Sequence, residues 1–221
     1  SLAGYGLLTV GAGRLIQSFG TEDQKKRYLE PMAEGRFFGT MCLSEPQAGS
    51  SLSDITTRAE AMEDGRYAIS GRKMWISGGE HELSETILHL VLARLPDAPP
   101  GVKGISLFIV PKYLVNADGS LGERNDVYPV SVEHKLGIHG SPTCVMAFGD
   151  NEGFPGGKSR STMHMDYLIK QPTLEVSYPD GKTRVVMKDG EIIGSDMIAA
   201  TTRPEETARV VMEAAVRQAG L

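Results

Sequence analysis

Three short strings carry the side chains best suited to chemistry. The first, Cys42-Leu43-Ser44-Glu45-Pro46-Gln47-Ala48-Gly49-Ser50, ends an apolar run at a proline and turns through small residues. Such a loop lets a ligand approach backbone N–H groups, and the hydroxyls of Ser44, Ser50 and Ser51 can point at it. An ordinary strand-to-loop corner has the same composition. The second, Gly71-Arg72-Lys73-Met74-Trp75-Ile76-Ser77-Gly78-Gly79, sets the only tryptophan beside a serine and a glycine pair. A lone tryptophan is usually core, but one ending a strand next to an open Gly-Gly loop can stack on a planar ligand. The third runs from Glu133 to Thr143 (EHKLGIHGSPT), and either of its histidines alone reads as a surface residue. Further on, His164 and Asp166 alternate on one strand face, a spacing compatible with joint metal ligation and equally with a plain polar face. Gly156-Gly157-Lys158-Ser159 imitates the end of a phosphate-binding loop. Glu152 stands where its first glycine is required and no apolar helix follows, so that reading fails.

The elements that must position these strings divide into three stretches. Residues 2–18 are apolar and glycine-punctuated, a packed helix. Thr21, with Glu22, Asp23 and Gln24 behind it, forms a capping box opening a second helix that ends at Gly35. From Phe37 the period changes to two. Phe37–Leu43, Ile55–Ala61, Arg66–Ser70, Met74–Ser77, Ile87–Leu95, Gly104–Val110, Val127–Val132 and Thr143–Phe148 read as strands joined by turn-rich links. Strands without intervening amphipathic helices predict an antiparallel barrel or sandwich. Beyond residue 150 come a strand over 162–170, a hairpin around Pro179-Asp180-Gly181, a turn at Asp189-Gly190 and a capped helix over 202–219.

The 221 residues bear 23 basic and 28 acidic side chains without a basic block, which argues against a nucleic-acid or anionic-membrane partner. No run of about 18 apolar residues exists to span a bilayer, so no membrane partner is expected. Cys42 and Cys144 sit in apolar runs and read as reduced, buried thiols of a cytoplasmic protein. The chain opens at Ser1 inside a helical pattern and is expected to be a fragment.

In this order and spacing, the strings LSEPxAGS, KMWIS and KLGIHGSPT, with the helix turn GTEDQKKRYL before them, resemble the acyl-CoA dehydrogenase family over about residues 5–153. The stretch SGGEHELSETILHLVLAR and the insert before EHKLGIHGSPTC resemble the branch handling 3-methylthiopropionyl-CoA. The resemblance implies a mainly β fold with the end of an N-terminal helical domain (1–36) and a middle β domain (37–150); the residues beyond, which it does not cover, read by their own patterns as an α+β tail (151–221). It implies FAD, an acyl-CoA thioester substrate, an electron-transfer flavoprotein and a homo-oligomer. The backbone around Met41 and Leu43 and the Ser44 hydroxyl would meet the flavin ring, with Gly49 and Ser50 beside cofactor and substrate pantetheine. Trp75 and Ile76 would pack at the flavin, Ser77 would donate near N5, and Ser141 would sit at the thioester channel. A fixed donor at N5 orients the ring and stabilises its reduced form, and an indole excludes water from a carbanion-like centre.

Two departures matter. Ser51 stands where the family carries aspartate, with Asp54 three residues on. Nothing after about Gly153 matches the family's C-terminal helices, which supply the α-proton base, so this chain is expected to lack that base and not to turn over acyl-CoA. Glu45 and Glu80 are the nearest carboxylates, expected at corners facing cofactor or solvent. In the tail, GGKSRSTMHMDYL resembles the end of leucyl aminopeptidase T-type metallopeptidases, which makes a metallopeptidase-like fragment centred on His164 and Asp166 one rival reading. A non-catalytic FAD- or CoA-binding module is another. Two protein ligands are too few for a tight zinc site, and no metal is expected there.

Overall fold

The computed structural model describes residues 3–150 apart from residue 64, and beyond them four strand segments between Asp166 and Ile192. The chain divides into two compact units, Ser1–Ile169 and Lys170–Leu221.

In the first unit, helix α1 (Ala3–Phe19) packs Ala12 and Ile16 inward. Thr21 caps the next helix as the sequence predicts: its hydroxyl accepts from the Gln24 N–H at 3.2 Å, and the Gln24 side chain accepts from the Thr21 N–H at 3.0 Å. This helix begins as α2 (Glu22–Gln24), widens through a π turn (Lys25–Leu29) and finishes as α3 (Glu30–Ala33). Pro31 has no N–H to give, and the turn ahead of it uses an i to i+5 bond from Glu30 to Lys25. Gly35, at φ 77°, ends it in the left-handed conformation that glycine adopts freely.

The strands are β1 (Phe37–Cys42), β2 (Arg58–Ala61), β3 (Tyr67–Ser77), β4 (Thr86–Arg94), β5 (Ile105–Pro111), β6 (Tyr113–Val115), β7 (Leu121–Arg124), β8 (Val127–Val132), β9 (Thr143–Phe148) and β10 (Asp166–Ile169). Their main sheet runs β10-β5-β4-β2-β3-β9-β8, with β1 also on β4, while β6 and β7 form a separate hairpin. One apolar cluster, including Cys42, Val91, Phe108, Cys144, Met146 and Phe148, fills the concave side. A second joins Ala12, Ile16, Tyr28 and Met32 of the helices to Leu88, Leu90 and Ile109. β4 is therefore buried on both faces, which accounts for its unbroken apolar sequence. Gly39 has no room for a Cβ, which would lie 2.6 Å from that of Ala12, so glycine here lets α1 lie on β1.

The mainly β architecture agrees with the sequence reading, with four corrections. β1 and β4 pair parallel, from Phe37 against Thr86 to Cys42 against Val91, although the other long ladders are antiparallel. The two predicted strands Arg66–Ser70 and Met74–Ser77 are one continuous β3. The predicted strand from Ile55 starts only at Arg58, because Leu52–Asp54 forms a 3-10 turn. The link NADGSLG lies in the β6–β7 hairpin, whose strands of three and four residues are too short to show a period.

In the second unit, β11 (Leu174–Ser177), β12 (Thr183–Lys188) and β13 (Glu191–Ile192) form an antiparallel meander, matching the predicted hairpin and turn. The predicted helix over 202–219 lies outside the described residues.

Candidate functional site

The carboxyl-terminal half of β3 is where the three strings meet. β3 pairs antiparallel with β9, but its register slips between Lys73 and Ile76. Up to that point Ile69 and Lys73 share the buried phase of the strand, and after it Ile76 is buried. Continued alternation would have turned position 75 inward. The bulge resets the phase and puts Trp75 outside, 57% exposed, at φ 59°. Positive φ is costly for a residue with a Cβ, about 1–2 kcal/mol, so surrounding bonds must hold it there.

Those bonds come from the first string. Met74 donates its N–H to Ser44 O at 2.9 Å. Lys73 sends its Nζ back to Leu43 O at 3.2 Å. The corner itself closes between Glu45 and Ala48, which exchange backbone bonds of 2.8 and 3.1 Å. The third string reaches the other edge: Ser77 pairs with Thr143, and Gly78 donates to Pro142 O at 2.7 Å. Leu43, Ser44, Trp75, Ser77 and Ser141 thus border one lip, although the strings lie far apart in the chain.

The other expected residues are placed differently. Met41 is in register with Leu90 and packs against the helix-side cluster. Ile76 is 2% exposed and packs in the core beside its ladder partner Cys144, and its carbonyl accepts from the Gly79 N–H at 3.2 Å. Gly49 and Ser50 are exposed beyond the corner, and a Cβ at Gly49 would meet nothing within 4 Å. Ser51 and Ser53 share a hydroxyl contact of 2.7 Å, and Ser53 donates to Asp54 at 3.2 Å. Ser141 is half-buried; its carbonyl accepts from Lys135 Nζ at 2.6 Å. A cavity of about 640 Å³ lined by Ser53, Thr56, Arg58, Glu60 and Arg94 holds no expected site residue but lies behind the corner.

The expectation that Glu45 faces cofactor or solvent is wrong. It is 2% exposed and accepts six hydrogen bonds: from Gln47 Nε2 (2.7 Å), Thr56 N and Oγ1 (2.7 and 2.8 Å), Thr57 N and Oγ1 (3.1 and 2.6 Å) and Lys73 Nζ (2.8 Å). Burial alone would raise its pKa, but the bonds from Lys73, Thr57 and Thr56 hold it at about 2. Glu80 is ion-paired to Lys112 and, at 2.9 Å, to Arg124. Neither carboxylate is placed as a proton-abstracting base. The one sequence signal for Lys73 was its phase with Ile69, which puts a cation at a core position that requires a carboxylate nearby.

The buried thiols agree with the sequence reading: Cys42 and Cys144 are free, and burial pushes the Cys42 thiol up to about 12. Beside Cys42, Thr40 Oγ1 lies 2.8 Å from His89 Nδ1, and burial lowers that imidazole to about 3. In the tail, Asp166 opens β10 opposite Ile109, and His164 lies outside the described residues. Among the described residues no three metal-ligating side chains are grouped to hold an ion, and no helix is long and apolar enough to cross a membrane.

The sequence of residues 40–151, which carries these strings, matches the acyl-CoA dehydrogenase middle domain. The chain belongs to the acyl-CoA dehydrogenase family. It is 48% identical over 163 residues to 3-methylmercaptopropionyl-CoA dehydrogenase of Ruegeria pomeroyi, covering 74% of this chain and 28% of that protein. It is 45% identical over 157 residues to a butyryl-CoA dehydrogenase of Syntrophomonas wolfei, covering 71% and 26%. Among solved structures it is similar to butyryl-CoA dehydrogenase of Megasphaera elsdenii, with TM-score 0.50, 31% identity and coverage of 65% of this chain and 35% of that one. The chain therefore spans about a quarter of the length of these curated relatives.

Proposed function

We propose that this chain is the flavin- and thioester-facing part of an acyl-CoA dehydrogenase that introduces an α,β double bond into an acyl-CoA. The observation that carries this reading is the exposed Trp75, held at φ 59° between the Ser44 corner and the Thr143 edge. A strained, outward aromatic ring beside free hydroxyls suits a planar, hydrogen-bonding cofactor. FAD, when bound, supplies the acceptor for the substrate's β-hydride. Trp75 would stack on the ring and shield it from water, the Ser77 and Ser44 hydroxyls would bond to its polar edge, and Gly49, Ser50 and Ser141 would flank the thioester arm. The α-proton goes to a carboxylate outside the described residues, since Glu45 is saturated and Glu80 ion-paired. A short acyl thioester such as the Ruegeria relative is named for is the favoured substrate. A cytoplasmic homo-oligomer in fatty-acid metabolism, passing electrons to an electron-transfer flavoprotein, completes the reading.

The test is a visible spectrum and FAD titration of the purified chain. Bound flavin absorbs near ~450 nm and quenches Trp75 saturably. No band and no quenching at high FAD would sink the proposal. With a short acyl-CoA and an artificial acceptor, no turnover is expected from this chain alone. Turnover lost in Glu80→Gln would instead make Glu80 the base.

A further inference from the structure

The Glu45–Lys73 pair lies outside the lip, yet it is tied to the lip's backbone: Lys73 bonds to the carbonyl of Leu43, and the two side chains stand next in sequence to Ser44 and Met74, which are bonded to each other. Lys73 is 0% exposed, two residues before Trp75, and its ammonium is shared between Glu45 and the carbonyl of Leu43. Glu45 directly follows Ser44, whose carbonyl takes the Met74 N–H. From the other side Thr56 and Thr57 clamp the carboxylate through both their N–H groups and both their hydroxyls. Gly71 lets that clamp approach, since a Cβ there would lie 2.6 Å from Thr57 Oγ1. Burying two charges gives little net stability even when they are well paired, because desolvation offsets their attraction. What such a pair does supply is a single allowed geometry, since any displacement leaves a charge unpaired in a dry site.

We infer that Glu45 and Lys73 are positioning residues: they set the distance and angle between the Leu43–Ser44 corner and the Trp75 bulge. Resting on the flavin reading above, this makes the pair the gauge of the slot into which the ring slides. Neither side chain touches the cofactor. Their effect passes through the carbonyl of Leu43 and the backbone of Ser44 and Met74.

The only tryptophan of the chain lies at the bulge, so its emission reads the wall directly, without cofactor. Glu45→Gln keeps the shape but turns an NH₂ against clamping N–H donors. Thr56→Ala removes one donor from an exposed position and keeps the test open if Glu45→Gln does not fold. Both are compared with the unaltered chain well below each protein's own unfolding temperature. The expected result is a red-shifted Trp75 emission with greater acrylamide quenching, and FAD binding weakened by about tenfold in Glu45→Gln and less in Thr56→Ala. A lowered unfolding temperature with unchanged Trp75 emission and unchanged FAD affinity would mean the pair only stabilises, and would overturn the inference. If no variant and not even the parent chain binds FAD while Trp75 still shifts, the flavin reading fails and the positioning role stands.

Discussion

The corner at residues 43–48 and the loop at 133–143 border the same end of β3 and are built on opposite terms. The corner turns its charge inward: one carboxylate collects five uncharged donors and an ammonium out of water. The loop turns its apolar side chains outward. Leu136 is fully exposed, and Ile138 is 71% exposed at φ 55°, an outlier for a β-branched residue. Backbone bonds anchor that loop at its ends, Glu133 N–H to Thr143 O and Gly78 N–H to Pro142 O, both 2.7 Å, and its side-chain bonds lie at the rim: Lys135 Nζ to the carbonyls of Ile138 (2.9 Å) and Ser141 (2.6 Å), and His139 Nε2 against Lys135 O at 2.7 Å. A saturated buried charge tolerates no displacement, whereas exposed bonds net about 1 kcal/mol each and exchange with water. One wall of the lip is thus fixed by the fold, and the other contributes surface more than stability.

The sharpest way to break this contrast is Lys73→Met. It leaves the Glu45 carboxylate buried without its cation, and unfolding in urea should show a loss of about 3–5 kcal/mol. A loss below about 1 kcal/mol would place the corner on the same footing as the loop.

Acid comes next. Glu45 is held at about 2 when folded against an ordinary value of 4.5, so the unfolded chain takes up the proton more readily. Its contribution is fully present above about pH 4.5 and is lost as pH falls towards 2, an effect of roughly 3 kcal/mol for a shift of this size. Urea midpoints measured from pH 6 down to 3 should fall steeply in the parent and less in Glu45→Gln. Parallel profiles would remove Glu45 from the acid response.

Smaller effects are expected at the lip. Ser77→Ala should leave the unfolding temperature alone, weaken FAD binding by about 1 kcal/mol and lower the flavin's reduction potential. An unchanged potential would mean that Ser77 does not bond to the ring. Smallest of all, Leu136→Ser should change stability by less than about 0.5 kcal/mol, because no core contact is removed. Thermal unfolding that drops by more would show the loop to be packed after all.

Much of this was legible in the residues themselves. Period-two runs and turn chemistry marked most strands, because alternation and glycine or proline stops are local properties. Thr21 and Gln24 announced their capping box for the same reason, and the motif strings identified the family because each is short and contiguous. What escaped was decided by pairing across distance. The parallel match of β1 with β4 depends on which edge is free when the sheet closes, and no pattern within either strand encodes it. The bulge that expels Trp75 exists only relative to β9, since a register slip is a relation between two strands. Glu45 and Lys73, separated by 28 positions, read as surface charges one at a time. Only the packed structure removes water from both together, and in that dry setting each charge is tolerable solely because the other is there.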